Sequence, residues 1–249
     1  MPHHLIRKLE QFTKLAGDDK QVMESAASKQ RLFGPRTDII SEGDAPHHVH
    51  LILEGWACRY KQLDDGRRQI ISLFVPGDLC DEHVYTLKEM DHSIAALSAV
   101  RLAEIPRPML GQITETHLRI AKALQWNILV TAAIQREWTV SLGQRTAIER
   151  LGHLLCELFV RLRGVGLTEE NSCVLPMTQA ELSDVLGLSN VHVNRTMQEL
   201  RRAGLIVLKG KHLVIPNLAA LQVASLFNPS YLHLDHEGRH LDANEPVAL

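Results

Sequence analysis

Asn190, His192, Asn194, Arg195 and Gln198 crowd one short stretch of the chain, and each can hydrogen-bond to the edge of a base. A carboxamide makes two bonds to adenine in the major groove, and a guanidinium makes two to guanine. Val191 stands among them and offers an apolar contact for a thymine methyl. Around this group lie hydroxyl and cationic side chains suited to phosphate oxygens: Thr178, Ser189, Arg201, Arg202, Lys209 and Lys211. Between residues 176 and 212 five Lys/Arg face three Asp/Glu, a basic excess inside a chain of formal net charge -2. That overall charge excludes a globally basic coat but not a local basic face.

The elements that must present these residues follow from their neighbours. Thr178 and Glu181 have the spacing of a capping box, which opens a helix burying Leu182, Val185 and Leu186. Gly187 ends that helix and Ser189 caps the next, which runs to about Ala203 and buries Val193, Met197 and Leu200. Two short helices joined by a glycine-bearing turn make a helix-turn-helix. The segment LIVLKGKHLVIP then predicts a two-stranded wing with Lys209 and Lys211 at its tip.

The remainder predicts an α+β protein with an N-terminal antiparallel, jelly-roll-like β-roll, a long dimerisation helix and a C-terminal winged helix-turn-helix. Residues 5–30 read as helical. From about 31 to 105, short apolar runs alternate with turn signals such as Asp65-Gly66, the pattern of a small antiparallel roll. From about 109 to 142 turn residues nearly vanish, and Ala121, Leu124, Ile128, Thr131, Gln135, Trp138 and Leu142 form a heptad-like seam expected at a dimer interface. The expected divisions are a roll at 1–110, a dimerisation helix at 111–142, a winged domain at 143–225 and a flexible polar tail at 226–249. No apolar run approaches the roughly 20 residues of a membrane span, and the first residues lack a signal peptide's apolar core. Cys58, Cys80, Cys156 and Cys173 are scattered, so neither a disulfide framework nor a zinc knuckle is expected, and a reducing cytoplasm is the simplest home.

This order of roll, long helix and winged helix-turn-helix resembles the CRP/FNR superfamily of bacterial regulators over about residues 10–225. The stretch ISEGDAPHHVHLILEG resembles that family's first cyclic-nucleotide signature, with Pro46 and His50 off pattern, and ELSDVLGLSNVHVNRTMQELRRAGLI resembles its recognition motif. The resemblance implies a homodimer on an inverted repeat of double-stranded DNA, in contact with RNA polymerase, with no membrane partner. It implies a candidate effector pocket at Asp81, Glu82, His83, His92 and Ser93, where the family's phosphate cassette falls. Glu82 and Ser93 match the cyclic-nucleotide ligands, but Asp81 replaces a Gly and His92 replaces the phosphate-binding Arg. Losing a fixed, many-donor cation and gaining a negative charge predict weak or no binding of cyclic AMP. Arg195 matches the family's arginine in the second helix, while Val191 occupies a place that is usually acidic, so the target differs from the usual half-sites.

No cofactor is expected. The family's iron–sulfur branch uses an N-terminal cysteine cluster, and no cysteine precedes Cys58. His83 falls where a resemblance to a haem ligand of the family's carbon-monoxide sensor arises, but the rest of that pattern is missing. His47 and His48 are adjacent and would point apart on a strand, so no metal site is expected there. An enzyme using Asp81, Glu82, His83 and His92 for acid–base chemistry lacks any accompanying nucleophile elbow, phosphate loop or zinc-protease motif. Two alternatives stay open: a regulator of the same fold that senses haem or another small ligand, and a ligand-binding protein whose helix-turn-helix contacts protein.

Overall fold

The structure is a computed structural model that describes residues 3–80 and 88–243. These divide into two compact units. The first takes residues 3–59, 73–80, 88–132 and 232–243; the second takes 60–72 and 133–231.

The first unit begins with two helices, α1 (His3–Leu9) and α2 (Gly17–Ala26). The stretch expected to be helical over 5–30 forms these two helices: the buried Asp19 carboxylate accepts from the backbone N–H of Ala16 at 3.0 Å and starts the second one. Strands β1 (Gln30–Phe33), β2 (Asp38–Ile40), β3 (His48–Glu54), β4 (Ala57–Gln62), β5 (Arg68–Phe74), β6 (Leu79–Cys80), β7 (Ser93–Ala96) and β8 (Val100–Pro106) form two antiparallel four-stranded sheets. Their orders are β1-β8-β3-β6 and β2-β7-β4-β5. Alternation along β3 explains its unbroken apolar run. Val49, Leu51 and Leu53 enter a core with Leu5, Leu9 and Met23, while Ile52 enters a second core with Phe74, Met90, Ile94 and Val100 inside the roll. Glu104 on β8 is buried but bonded to Lys29 and Arg31, each at 2.7 Å. Burial would raise its pKa, yet the two cations hold it down to about 2.

The long helix differs from expectation. α3 (Arg107–Thr116) ends at His117, whose backbone leaves the helical region, and α4 (Leu118–Gln144) begins afresh. His117 is held out of line by its ring nitrogen, 3.0 Å from the Asp19 carboxylate.

The second unit is built on α5 (Ala147–Gly164), opened by a capping box between Thr146 and Glu149. It continues through β9 (Thr168–Glu169), β10 (Ser172–Val174), α6 (Gln179–Leu186), α7 (Asn190–Arg202), β11 (Val207–Lys209), β12 (His212–Val214) and α8 (Leu218–Ala224). Its sheet runs β11-β12-β10-β9. Glu157 on α5 is fully buried and accepts from Trp138 Nε1 at 2.9 Å, Tyr231 Oη at 3.0 Å and Arg161 at 3.1 Å.

Residues 227–243 depart from the expected flexible tail. Leu232 is buried, 3-10 turns form at Pro229–Leu232 and Arg239–Leu241, and Gly238, Asp242 and Ala243 are hydrogen-bonded to Phe12, Thr13 and Lys14. The physical reason is tertiary: a polar composition predicts disorder only where no partner supplies the hydrogen bonds.

Candidate nucleic-acid interface

The two helices of the second unit start and stop where the sequence marks them. The Thr178 hydroxyl accepts from the backbone N–H of Glu181 at 3.2 Å, and the Glu181 carboxylate accepts from Thr178 N at 2.6 Å. Gly187 takes φ 61°, a left-handed conformation open to glycine, and so reverses the chain after α6. Ser189 Oγ accepts from His192 N at 3.2 Å and opens α7. Leu182, Val185 and Leu186 on α6 and Val193, Met197 and Leu200 on α7 are buried together.

Burying that stripe leaves the opposite face of α7 outward. Asn190, Val191, Asn194 and Arg195 are exposed, Val191 at 81 %, and His192 and Gln198 are half-buried. An exposed valine among polar neighbours gains nothing from water, and its methyls are available to an apolar partner. Arg195 Nε lies 3.8 Å from Glu199 Oε1 one turn on, and both side chains are solvated. The N-terminus of α7, opened by Ser189, carries the positive end of the helix dipole, which favours an anion. At the wing, Gly210 turns β11 into β12, with Lys209 and Lys211 exposed on either side. Arg202 is exposed. Arg201 is half-buried and donates to Leu208 O at 3.1 Å, which ties the wing to α7.

Residues with no local signal hold this module in place. Arg150 on α5 donates to Leu186 O at 2.6 Å and also to Leu142 O and Arg145 O. On the β4–β5 hairpin, Arg68 Nε lies 2.9 Å from Asp184 Oδ2, and Gln69 Nε2 donates to Val185 O at 3.1 Å. The hairpin tip and the turn after α6 line a cleft of about 740 Å³, with Lys61, Arg67, Ser183 and Gly187 on its walls. These contacts join residues far apart in sequence, so spacing does not reveal them.

The other predicted sites are placed unevenly. Asp81, Glu82 and His83 lie outside the described residues. His92 is buried, its Nδ1 2.7 Å from Asp91 Oδ1, and Ser93 Oγ accepts from the backbone N–H of Glu42 at 2.9 Å. Of the expected seam on α4, Leu124 lies in the first unit's core, Trp138 donates to Glu157, and Gln135 Nε2 donates to Ile71 O. Ala121, Ile128 and Thr131 are half-buried, and Leu142 is exposed. The outward apolar residues of α4 are instead Leu118, Leu129 and Val140, with Leu142. All four cysteines are buried, and burial pushes the thiols of Cys156 and Cys173 up to about 12 and about 11. Among the described residues no helix is long and apolar enough to cross a membrane.

Comparison with known proteins agrees with this architecture. Residues 30–117 match the family model of the cyclic nucleotide-binding domain, and residues 149–224 match that of the Crp-like helix-turn-helix domain. The transcriptional activatory protein AadR of Rhodopseudomonas palustris is 30% identical over 211 residues, 83% of this chain and 84% of its own. The transcriptional activator protein FnrL of Cereibacter sphaeroides is 28% identical over 187 residues, 74% of this chain and 75% of its own. The structure of FixK2 from Bradyrhizobium japonicum superposes with a TM-score of 0.70 at 23% identity, covering 79% of this chain and 96% of that one. The chain belongs to the CRP/FNR family of transcriptional regulators. It is a DNA-binding regulator of that type.

Proposed function

We propose that the protein acts in the cytoplasm as a homodimer, pairs through α4, and reads an inverted repeat with one α7 in each of two successive major grooves. The outward face of α7 carries this reading. Asn190, Val191, His192, Asn194, Arg195 and Gln198 are the base-reading set; Thr178, Ser189, Arg201, Arg202, Lys209 and Lys211 are the phosphate-contacting set. Successive grooves on one side of the duplex lie about 34 Å apart, which is the spacing that two reading heads must meet. Leu118, Leu129, Val140 and Leu142 support pairing, because a 27-residue helix with exposed apolar positions gains from a second copy. The experiment is sedimentation of native protein and Leu129→Arg, paired with DNA titration. Dimer and palindrome binding are expected to fail together in the variant. A monomeric variant with native affinity for a full palindrome contradicts the scheme.

The reading includes independence from cyclic AMP. His92 beside Asp91, and Ser93 already accepting from Glu42, support it: neither supplies a fixed cation for a cyclic phosphate. Titration with cyclic AMP is expected to leave DNA affinity unchanged, and a response at micromolar nucleotide contradicts this. RNA polymerase is the further partner we propose, and no catalytic role is assigned.

A further inference from the structure

We propose that the tip of the β4–β5 hairpin is a second DNA contact, at which Arg67 binds a backbone phosphate beside the groove that α7 enters. This rests on the DNA-binding reading above. Every residue it uses belongs to the second unit, which takes residues 60–72 together with the helix-turn-helix.

The tip is closed by its own hydrogen bonds. Leu63 N donates to Arg67 O at 2.8 Å, Gly66 N donates to Leu63 O at 2.9 Å, and Gly66 takes φ 86°, in the left-handed region that favours glycine. The Asp65 carboxylate accepts from Arg67 N at 3.1 Å and from Arg67 Nε at 2.8 Å. One edge of the guanidinium is thereby oriented, while its two terminal amino groups carry four further N–H donors. The Arg67 side chain is 77 % exposed and that of Asp65 54 %, so the pair itself adds little stability and the donors are open to an external anion. Asp64 and Asp65 offset the tip's long-range field, so Arg67 acts at hydrogen-bond range.

The hairpin is docked at the end of α6. Arg68 Nε lies 2.9 Å from Asp184 Oδ2, which neutralises that acid, and Gln69 Nε2 donates to Val185 O at 3.1 Å. The cleft of about 740 Å³ has Lys61, Gln62 and Arg67 of the hairpin on one wall and Ser183, Gly187 and Leu188 on the other. Its lining includes three cations, Lys61, Arg67 and Arg68, against the single acid Asp184. Leu188 directly precedes Ser189, the residue that caps α7. The tip thus stands across one cleft from the end of α7 that favours an anion. A duplex that takes α7 into its major groove carries a phosphate strand past that end. Because α7 fills the groove, phosphates rather than base edges are left to the hairpin. A guanidinium meets a phosphate through two parallel N–H bonds, which the unengaged side of Arg67 can supply.

The test compares the full native chain with Arg67→Glu and Arg67→Lys on a selected duplex and on random duplex, across a salt series. Arg67→Glu is expected to bind both duplexes at least about tenfold more weakly at low salt, with a salt slope smaller by about 1 and an unchanged unfolding midpoint. Arg67→Lys is expected to stay within about twofold of native, because a lysine still meets a phosphate as a point charge. Ethylation of single phosphates should reveal one whose blocking weakens native protein but not Arg67→Glu. Native affinity in Arg67→Glu, a loss confined to one base position, a lowered unfolding midpoint, or the absence of such a phosphate overturns the hairpin contact. If Arg195→Ala loses affinity while Arg67→Glu does not, the reading by α7 stands and the hairpin contact falls. Native protein that binds no duplex refutes the DNA-binding reading itself.

Discussion

The outward face of α7 and the His92–Ser93 segment of the roll carry similar chemistry in opposite situations. On α7, two amides and a guanidinium stand exposed beside an exposed valine, with a half-buried imidazole among them and a buried stripe beneath. In the roll, the imidazole and hydroxyl are buried and engaged by Asp91 and Glu42. The first group is rigidly presented and ready for an external partner; the second stabilises the fold that holds it. Function follows which groups are unengaged, beyond which residue types are present.

That contrast can be broken most severely at Glu157. Glu157→Ala leaves Arg161, Trp138 Nε1 and the Tyr231 hydroxyl without their shared acceptor, and should cost about 3–5 kcal/mol in denaturant unfolding. An unchanged midpoint would mean that the buried network stabilises nothing. His153 gives the next effect. Burial, reinforced by Arg145, lowers its pKa from 6.5 to about 4 despite Glu137. The folded state resists a proton that the unfolded chain accepts, so stability is whole above about 6.5 and falls as pH drops towards 4. The loss should approach about 3 kcal/mol, and His153→Gln should flatten this window. Glu104 in the first unit, held at about 2, also contributes stability that acid removes, but only from about 4.5 down to 2. Separate pH titrations of stability in native protein, His153→Gln and Glu104→Gln check that order.

On the exposed side, Arg195→Ala should lose about 1–3 kcal/mol of operator affinity and relax specificity at one base pair, with the unfolding midpoint unchanged. A competition titration against single-base variants of the operator checks it. The smallest effect is expected at the wing: Lys209→Ala should weaken binding to all sequences alike and reduce the salt slope by about 1.

Legibility divided along the same line. The helix-turn-helix was readable because its determinants are local: Thr178 with Glu181, Gly187 and Ser189 fix the helix ends within a few residues, and the apolar spacing fixes the outward face. The roll was readable from its turn-punctuated strands. On α4 periodicity alone cannot say which stripe of a helix faces its own domain. Leu124 and Trp138 are consumed by internal packing, and the outward Leu118, Leu129 and Val140 sit on a different stripe. The break at His117 depends on Asp19, 98 residues away, and the order of the C-terminal segment depends on Phe12 to Lys14 at the other end of the sequence. No local pattern encodes those.

The central claim is that two copies of α7 read DNA. Selection from random duplexes by the purified protein, with no ligand added and at moderate salt, tests it most directly. The account predicts an enriched inverted repeat whose half-site centres lie about one helical turn apart, with one position losing its preference in Arg195→Ala. Absence of enrichment, or an enriched site without two-fold symmetry, would contradict it.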